Sequence, residues 1–205
     1  MKILLTGFEP FDQEHINPSW EAVRRVKAPE GAEVIRHCLP VSFRAAPGML
    51  KALIRQHRPD AVVCVGQAGG RSGISLERIA VNLMDGRIPD NDGFRPEEEP
   101  VVPGGETAYF STLPLRRMEK ALKEAGLPAQ ISNTAGLYVC NTVFYTAARL
   151  AAREFPKAQT GFVHVPYLPE QSREGRYPSM PLEDAVKALE ECLKCLTAGQ
   201  NAAEA

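Results

Sequence analysis

Several features that would point to a particular partner or compartment are absent or scarce in this sequence of 205 residues. The formal net charge is only -1 and the positive charges are scattered, so nothing favours nucleic acid or an anionic membrane surface. No apolar run approaches membrane-spanning length, and the run at Met1–Gly7 is shorter than a signal peptide requires. The five cysteines form no compact framework, and Cys192-x-x-Cys195 has no second half that would make it a convincing redox or metal motif. We therefore expect a cytoplasmic protein, and no residue pattern indicates a cofactor or a metal.

What the sequence contains is an alternation of apolar, strand-like runs with amphipathic, helix-like segments. A hydrophobic content of 44% is enough for one core. No repeat or linker divides the chain, so we predict a single domain over residues 1–197 and a disordered tail at 198–205. Strands that alternate with helices predict an α/β sandwich around a mixed, mostly parallel sheet. Strands are predicted at Lys2–Thr6, Glu33–Leu39, Asp60–Val65, Ser75–Leu83, Ala129–Ser132 and Thr160–Val165, and helices at Ser19–Lys27, Ala45–His57, Pro114–Ala125, Leu137–Phe155 and Pro181–Leu196.

Cys140 is the strongest candidate for a nucleophile. It follows a break at Ala135-Gly136, where a strand-like run ends and the longest helical pattern begins. A thiol in the first turn of a helix is near the positive end of the dipole and near unpaired N–H groups, which favours the thiolate. One of only four histidines, His164, lies at the end of another apolar run. A cysteine and a histidine at the ends of neighbouring core elements indicate cysteine-based acyl transfer.

Glu77 lies inside the predicted strand Ser75–Leu83. Side chains alternate along a strand, so Glu77 shares a face with the apolar residues Ile79 and Val81. A carboxylate on an apolar face needs a partner, because burial of an unpaired charge is costly, and a histidine would serve. Two alternatives remain open: the strand ends near Glu77 and the side chain faces water, or the carboxylate pairs with an arginine.

Three loop segments have both a functional and a structural interpretation. The glycine-rich segment Gly66–Gly73 follows a predicted strand and could bring backbone N–H groups close to a ligand, although it lacks the spacing of nucleotide-binding loops and could equally be a tight turn. Phe8 and Phe11 lie in a Gly/Pro turn and are either a lid on the core or the wall of an apolar pocket. The long segment Asp85–Gly105 is either functional or a solvated excursion.

Two long segments resemble the signatures of the pyroglutamyl-peptidase type I (pyrrolidone-carboxylate peptidase) family of cysteine peptidases. The glutamate signature is matched by Gly66-x-x-Gly69-x4-Ile74-Ser75-x-Glu77-Arg78-Ile79-Ala80-x-Asn82, and the cysteine signature by Ser132–Asn141. Shorter runs are also similar to the family, namely Thr6–Phe11 with Asn17-Pro18, Arg87–Asn91 and His164–Tyr167. The matches follow one another in order over nearly the whole chain, which makes the resemblance specific.

The resemblance implies a catalytic triad of Cys140, His164 and Glu77, with Arg87 near the oxyanion. It implies that a main-chain group at Gln67 binds the lactam of the substrate and that the pocket is lined by Phe8, Phe11, Tyr138 and Val139. It further implies an α/β/α sandwich, a cytoplasmic homotetramer, and no metal or other cofactor.

The expected reaction is the release of an N-terminal pyroglutamyl (5-oxoprolyl) group from peptides through a thioester acyl-enzyme. Two rival interpretations remain. A nucleoside phosphorylase-like enzyme of similar architecture could use the Gly66–Gly73 loop to hold phosphate and ribose. A non-catalytic module could bind a ligand in the apolar pocket without turnover.

Overall fold

Eight strands are seen in the computed structural model, which describes residues 1–172 and 175–197. They are β1 (Lys2–Phe8), β2 (Glu33–Leu39), β3 (Ala61–Gln67), β4 (Ile74–Glu77), β5 (Ile79–Val81), β6 (Ala108–Phe110), β7 (Ala129–Ser132) and β8 (Gln159–Val165). The main sheet has the order β2-β1-β3-β8-β4-β7, while β5 and β6 form a separate antiparallel pair. Strands β2, β1, β3 and β8 are parallel, whereas β4 runs antiparallel to β8 and parallel to β7. The sheet is therefore mixed and mostly parallel, as predicted. The predicted tail at 198–205 lies outside the described residues.

Helices cover both faces of this sheet. They are α1 (Pro18–Val23), α2 (Ala45–His57), α3 (Leu115–Glu124), α4 (Val139–Glu154) and α5 (Leu182–Thr197). Helices α2 and α4 pack on one face, and α1, α3 and α5 pack on the other. This single-domain α/β/α sandwich confirms the predicted fold class. Within the described part of the chain, no helix combines the length and apolar character needed to cross a membrane.

The central strands are apolar on both sides because each face of the sheet is covered. In β8, Phe162 belongs to the core on the α2/α4 side, and Val163 and Val165 belong to the core on the other side. His164 has the same parity as Phe162, so its side chain points to the α2/α4 face. Alternation along one strand thus sets the layer in which a candidate catalytic residue lies.

The turn after β1 is fixed by the start of α1. Asn17 caps this helix, with its side chain accepting a hydrogen bond from the Ser19 N–H and with proline at the first helical position. A Cβ atom on Gly7 would lie 2.7 Å from the backbone of Trp20, so the glycine lets the helix pack directly on the strand. The Ser19 hydroxyl accepts a hydrogen bond from the Phe8 N–H. These contacts hold the segment that carries Phe8 and Phe11.

The predicted strand Ser75–Leu83 is two strands that belong to different sheets. The chain changes sheet at Arg78, whose N–H donates to Ser132 on one side while its carbonyl accepts from Ser111 on the other. The break depends on partners distant in sequence, which explains why the continuous apolar pattern did not reveal it. Strand β6 was not predicted because a run of three residues is too short to show a period.

Candidate active site

The candidate residues meet at the carboxyl ends of β3 and β8, the usual location of sites in open α/β sheets. Gly66 of β3 pairs with His164 of β8, and Cys140 is the second residue of α4, which lies above them. A Cβ atom on Gly66 would be 2.8 Å from the Cys140 sulfur and 2.8 Å from the Phe162 ring. The glycine therefore lets the sulfur approach the sheet. This places it beside the strand that carries His164, since neighbouring strands are about 4.8 Å apart.

Glu77 reaches the same place from β4. Ser75 pairs with His164 and Glu77 pairs with Phe162, and paired residues of antiparallel strands point to the same face. The Glu77 Oε1 atom lies 2.7 Å from His164 Nδ1, and the two side chains are 0% and 4% exposed. The Phe162 ring packs 4.7 Å from the imidazole, centroid to centroid. With Nδ1 held by the carboxylate, Nε2 is the nitrogen left for proton exchange with a nucleophile.

Both alternatives left open for Glu77 are resolved by its surroundings. The strand does end at Glu77, but the side chain is buried rather than facing water. The carboxylate contacts the histidine and also an arginine, because Arg71 Nη1 lies 2.5 Å from the same Oε1 atom. Arg71 Nη2 donates to the Thr134 carbonyl at 3.1 Å. No role for Arg71 was predicted, although this residue belongs to the glycine-rich segment Gly66–Gly73.

The ionisation of Glu77 reflects a balance of opposing effects. Burial alone would raise its pKa, but the hydrogen bond and charge of His164 act against burial, and so do the Ser132 hydroxyl and the charge of Arg71. The net result is a pKa below the usual range for a glutamate. The carboxylate is therefore ionised at neutral pH and able to accept a hydrogen bond from the Nδ1–H of His164.

For the thiol of Cys140, the effects that raise the pKa outweigh those that lower it. Burial raises its pKa to about 12, with further increases from the negative charge of Glu77 and from Cys64. Arg71 lowers it, and the Cys140 backbone N–H lowers it least of the causes at work. The expectation that the helix start favours a thiolate is therefore outweighed by desolvation. In the resting protein the thiol keeps its proton, and a base must remove that proton when the sulfur reacts.

Asn141 anchors the first turn of α4, a role that the sequence analysis did not identify. This buried side chain accepts from the Val81 N–H and donates to the carbonyls of Val81 and Leu83, each at 2.9 Å. The signal available in the sequence was a polar amide directly after Cys140 in an otherwise apolar helix start. The anchor fixes the position of the Cys140 N–H, one of the first-turn donors that have no partner within the helix.

A cavity of about 330 Å³ lies next to these residues. It is lined by Phe11, Asp12, Glu14, Gln67, Gly69, Asp85, Arg87, Ile88, Leu137, Tyr138 and Tyr167. Of the six residues assigned to the pocket or the oxyanion, four therefore line the cavity. The other two, Phe8 and Val139, are buried in the core behind its wall, and the Phe8 ring lies 6.4 Å from Phe162. Direct contact of these two with a ligand stays a prediction.

Two aromatic rings of the cavity lining pack against each other. The Phe11 and Tyr138 centroids are 6.0 Å apart with their planes tilted by 33°, and Phe43 supports Tyr138 edge-on at 5.0 Å. The Tyr138 hydroxyl donates to the Pro89 carbonyl at 2.9 Å, and burial raises its pKa to about 12, so it keeps this proton. Phe11 and Tyr138 therefore form one apolar wall of the cavity.

The long segment Asp85–Gly105 is held in place at the rim of the cavity. The buried Asp90 side chain accepts from the N–H groups of Phe43, Asp92 and Phe94. The side chain of Asn91 donates to the Glu9 carboxylate and to the Pro10 carbonyl. These bonds join the segment to the turn after β1 and place Arg87 and Ile88 in the cavity wall. Its functional interpretation therefore has structural support.

The orientation of the Gln67 side chain follows from its neighbour Gln171. The Leu168 N–H donates to Gln171 Oε1, which identifies the other end of that amide as the donor. Gln171 Nε2 then donates to Gln67 Oε1 at 3.0 Å. Gln67 consequently turns its own amide nitrogen, a donor, away from Gln171. Gln171 was not predicted, because nothing in its local sequence shows that it lies beside β3.

The remaining motif, Cys192-x-x-Cys195, lies on α5. Both side chains are buried in the core on the α1/α3/α5 side. In the described ranges, no group of three or more histidine, cysteine, aspartate and glutamate residues is arranged to hold a metal ion.

Comparison with known proteins gives one consistent result. The model of the pyroglutamyl peptidase family matches residues 1–198. A pyrrolidone-carboxylate peptidase of Thermococcus onnurineus is 51% identical over 195 residues, which cover 95% of this chain and 98% of that protein. The pyrrolidone-carboxylate peptidase of Bacillus subtilis is 46% identical over 201 residues, covering 97% of this chain and 93% of that protein.

Solved structures agree with the sequence comparison. A crystal structure of pyroglutamyl peptidase I from Bacillus amyloliquefaciens superposes with a TM-score of 0.92 at 44% identity, covering 95% of this chain and 93% of that one. A mutant pyrrolidone carboxyl peptidase from Pyrococcus furiosus gives a TM-score of 0.93 at 44% identity, covering 97% and 99%. The similarity thus extends over the whole fold and includes every element that carries a candidate residue.

Proposed function

Because this chain belongs to the pyroglutamyl peptidase family, a family of cysteine peptidases, we propose that it removes an N-terminal pyroglutamyl group from peptides. The observation that carries the proposal is the convergence of three side chains beside one cavity. The Cys140 sulfur lies against Gly66, next to the strand of His164, and His164 is held by the ionised Glu77. This is the set of groups that thiol-based acyl transfer requires.

The cavity suits a small, flat and neutral lactam. A pyroglutamyl group has no ammonium, so its pocket needs apolar faces and a few polar groups at the ring edge rather than a carboxylate partner. Phe11 and Tyr138 together supply an apolar wall for the ring, and main-chain groups at Gln67 supply the polar edge. A site built to hydrogen-bond the lactam carbonyl rejects a proline analogue by roughly 10,000-fold in favourable cases.

In the proposed first step, His164 takes the thiol proton of Cys140 while the sulfur attacks the pyroglutamyl carbonyl carbon. The tetrahedral intermediate places its negative oxygen against the N–H groups at the start of α4, and Arg87 at the cavity wall adds positive charge. His164 then gives the proton to the departing amine, and the C–N bond breaks to leave a thioester. Loss of one oxyanion donor costs about 100- to 1000-fold in turnover in comparable enzymes.

In the second step, His164 removes a proton from a water molecule, which attacks the thioester carbonyl. The C–S bond breaks, the proton returns to the sulfur, and pyroglutamate leaves. Throughout both steps Glu77 keeps the imidazole in one tautomer and stabilises its charged form.

We further propose a cytoplasmic homotetramer. The family resemblance supports the tetramer, and the free thiols of Cys38, Cys64, Cys140, Cys192 and Cys195 suit a reducing compartment. The rival nucleoside phosphorylase-like activity finds no support in the comparisons, and Arg71 of the loop that was considered for phosphate is turned towards Glu77.

The test is hydrolysis of a fluorogenic pyroglutamyl amide beside its prolyl counterpart, with and without prior treatment with iodoacetamide. We expect cleavage of the pyroglutamyl amide only, and loss of that activity after alkylation. Equal cleavage of both amides, or cleavage that survives complete alkylation of Cys140, would contradict the proposal. Ligand binding without turnover would instead support the non-catalytic module.

A further inference from the structure

Arg71 makes a contact that the reaction scheme above does not use. Its loop turns back on itself through Gly70, which has a φ of +84°, a conformation that glycine adopts without strain. The turn brings the guanidinium to the buried Oε1 atom of Glu77 at 2.5 Å, while a second nitrogen binds the Thr134 carbonyl. The same carboxylate oxygen of Glu77 thus contacts both the imidazole and the guanidinium. Within the described ranges, the other oxygen, Oε2, is buried and accepts no hydrogen bond of ordinary geometry, because the nearby Ser132 hydroxyl, which lowers the pKa of Glu77, donates to the Thr134 carbonyl.

We infer that Arg71 is a positioning residue for the triad: it offsets the charge of Glu77, so that the carboxylate orients His164 without holding it as an imidazolium. The inference rests on the proposed function, because it assigns a role to Arg71 in that same site. Papain-like peptidases orient the histidine with a neutral asparagine. In this chain the Glu77–Arg71 pair provides a hydrogen-bond acceptor with nearly no net charge.

A charge in a buried site is little screened by water, so it acts strongly on a neighbouring imidazole. A bare carboxylate at 2.7 Å from the imidazole would strongly stabilise the protonated ring, and a ring that is already protonated cannot take the thiol proton. A cation at the same oxygen removes much of that bias. The side chain of Arg71 is only 25% exposed, so water screens its interaction with Glu77 incompletely.

The charged and titratable groups around this centre come from four elements. His164 belongs to β8, Cys140 to α4 and Cys64 to β3, and Arg71 belongs to the loop between β3 and β4. The Ser132 hydroxyl of β7 also acts on Glu77. Of these groups, Arg71 supplies the fixed positive charge, and it lowers the pKa of both Glu77 and Cys140.

Loss of the Arg71 charge should therefore shift the pH dependence of the reaction in one direction. Without Arg71, Glu77 binds a proton at higher pH, and the protonated form of the Glu77–His164 pair persists to higher pH. Either change removes the free base needed for attack, so the acid limb of the profile of kcat/KM against pH moves upward. We expect a shift on the order of one pH unit for a charge at this distance.

The experiment measures kcat/KM against pH on a pyroglutamyl amide for wild type, Arg71→Met, Arg71→Lys and Arg55→Met. Arg71→Met keeps the aliphatic part of the side chain but removes the charge, whereas Arg71→Lys keeps the charge. Arg55→Met is the matched control, because it breaks an exposed arginine–glutamate pair with Glu154 away from the site. We expect Arg71→Met to lose roughly tenfold in kcat and to shift the acid limb upward, while the other two variants keep the wild-type limb.

A second pair of variants separates this role from simple structural support. In a Glu77→Gln background the carboxylate that binds the guanidinium is gone, so adding Arg71→Met should shift the acid limb less than it does in the wild-type background. An unmoved limb in Arg71→Met alone, or an equal shift in both backgrounds, would overturn the inference. If Arg71→Met does not fold, Arg71→Gln, which keeps hydrogen-bond donors without the charge, carries the same expectation. An inactive wild type would overturn the proposed function, and this inference with it.

Discussion

The thiol of Cys140 lies in surroundings that disfavour its ionised form. Burial raises its pKa to about 12, while burial raises that of Cys38 to about 11 with a further contribution from Glu9. Both residues are half-buried, and neither thiol is a ready thiolate by itself. We propose that proton transfer to His164 makes Cys140 the more reactive of the two.

Alkylation tests this reasoning at the scale of single residues. With limiting iodoacetamide at neutral pH, we expect label on Cys140 before Cys38, and inactivation in step with labelling of Cys140. In His164→Ala the preference for Cys140 should disappear, because the base that activates the sulfur is absent. Mass spectrometry of the digested protein gives the order directly. Preferential labelling of Cys38, Cys192 or Cys195 in the wild type would show that Cys140 is not the activated thiol.

At the scale of elements, the site depends on a close approach between α4 and β3. The sulfur of Cys140 occupies space that a Cβ atom on Gly66 would need, since the two would be 2.8 Å apart. The same Cβ atom would meet the Phe162 ring, which packs against His164. Neither neighbour is the tip of a flexible side chain, so an added methyl group displaces the nucleophile or the base.

Gly66→Ala is therefore expected to lower kcat by about 100-fold or more, because a displacement of roughly 1 Å has such effects on catalysis. Gly48→Ala is the matched control. Gly48 lies in α2 with nothing within 4 Å of its Cβ position, and alanine there should stabilise the protein by up to about 1 kcal/mol with activity kept. Thermal melting and steady-state kinetics of the two variants make the comparison. Full activity in Gly66→Ala would contradict the placement of the sulfur.

The ends of helices and strands were predicted correctly where the residues of the element itself mark both ends. The sequence predicted β2, α2 and β7 with the bounds that the structure has. It predicted one strand across Arg78 because the apolar pattern continues, whereas the chain changes sheet there through bonds to Ser132 and Ser111. The inference about Glu77 from strand parity still led to the observed partner, because β4 alone sets the face on which that side chain lies.

Over the full chain, the sequence predicted the three candidate catalytic residues better than their surroundings. The two long signatures contain Glu77 and Cys140, and a shorter run contains His164; long stretches of chain separate the three, and the fold brings them to the same end of the sheet. The supporting residues Arg71, Asn141 and Gln171 were not predicted. Each makes a hydrogen bond to a residue that is distant in sequence, namely Thr134, Val81 and Gln67 in that order.

We propose that the sulfur of Cys140, activated by the buried His164 and Glu77, performs the hydrolysis of the pyroglutamyl bond. The most direct test is the kcat of Cys140→Ser on a pyroglutamyl amide, with thermal melting to check the fold. A hydroxyl is a far weaker nucleophile than a thiol in this setting, so we predict a loss of about 1000-fold or more with an unchanged melting temperature. Turnover within about tenfold of the wild type in that folded variant would contradict the account.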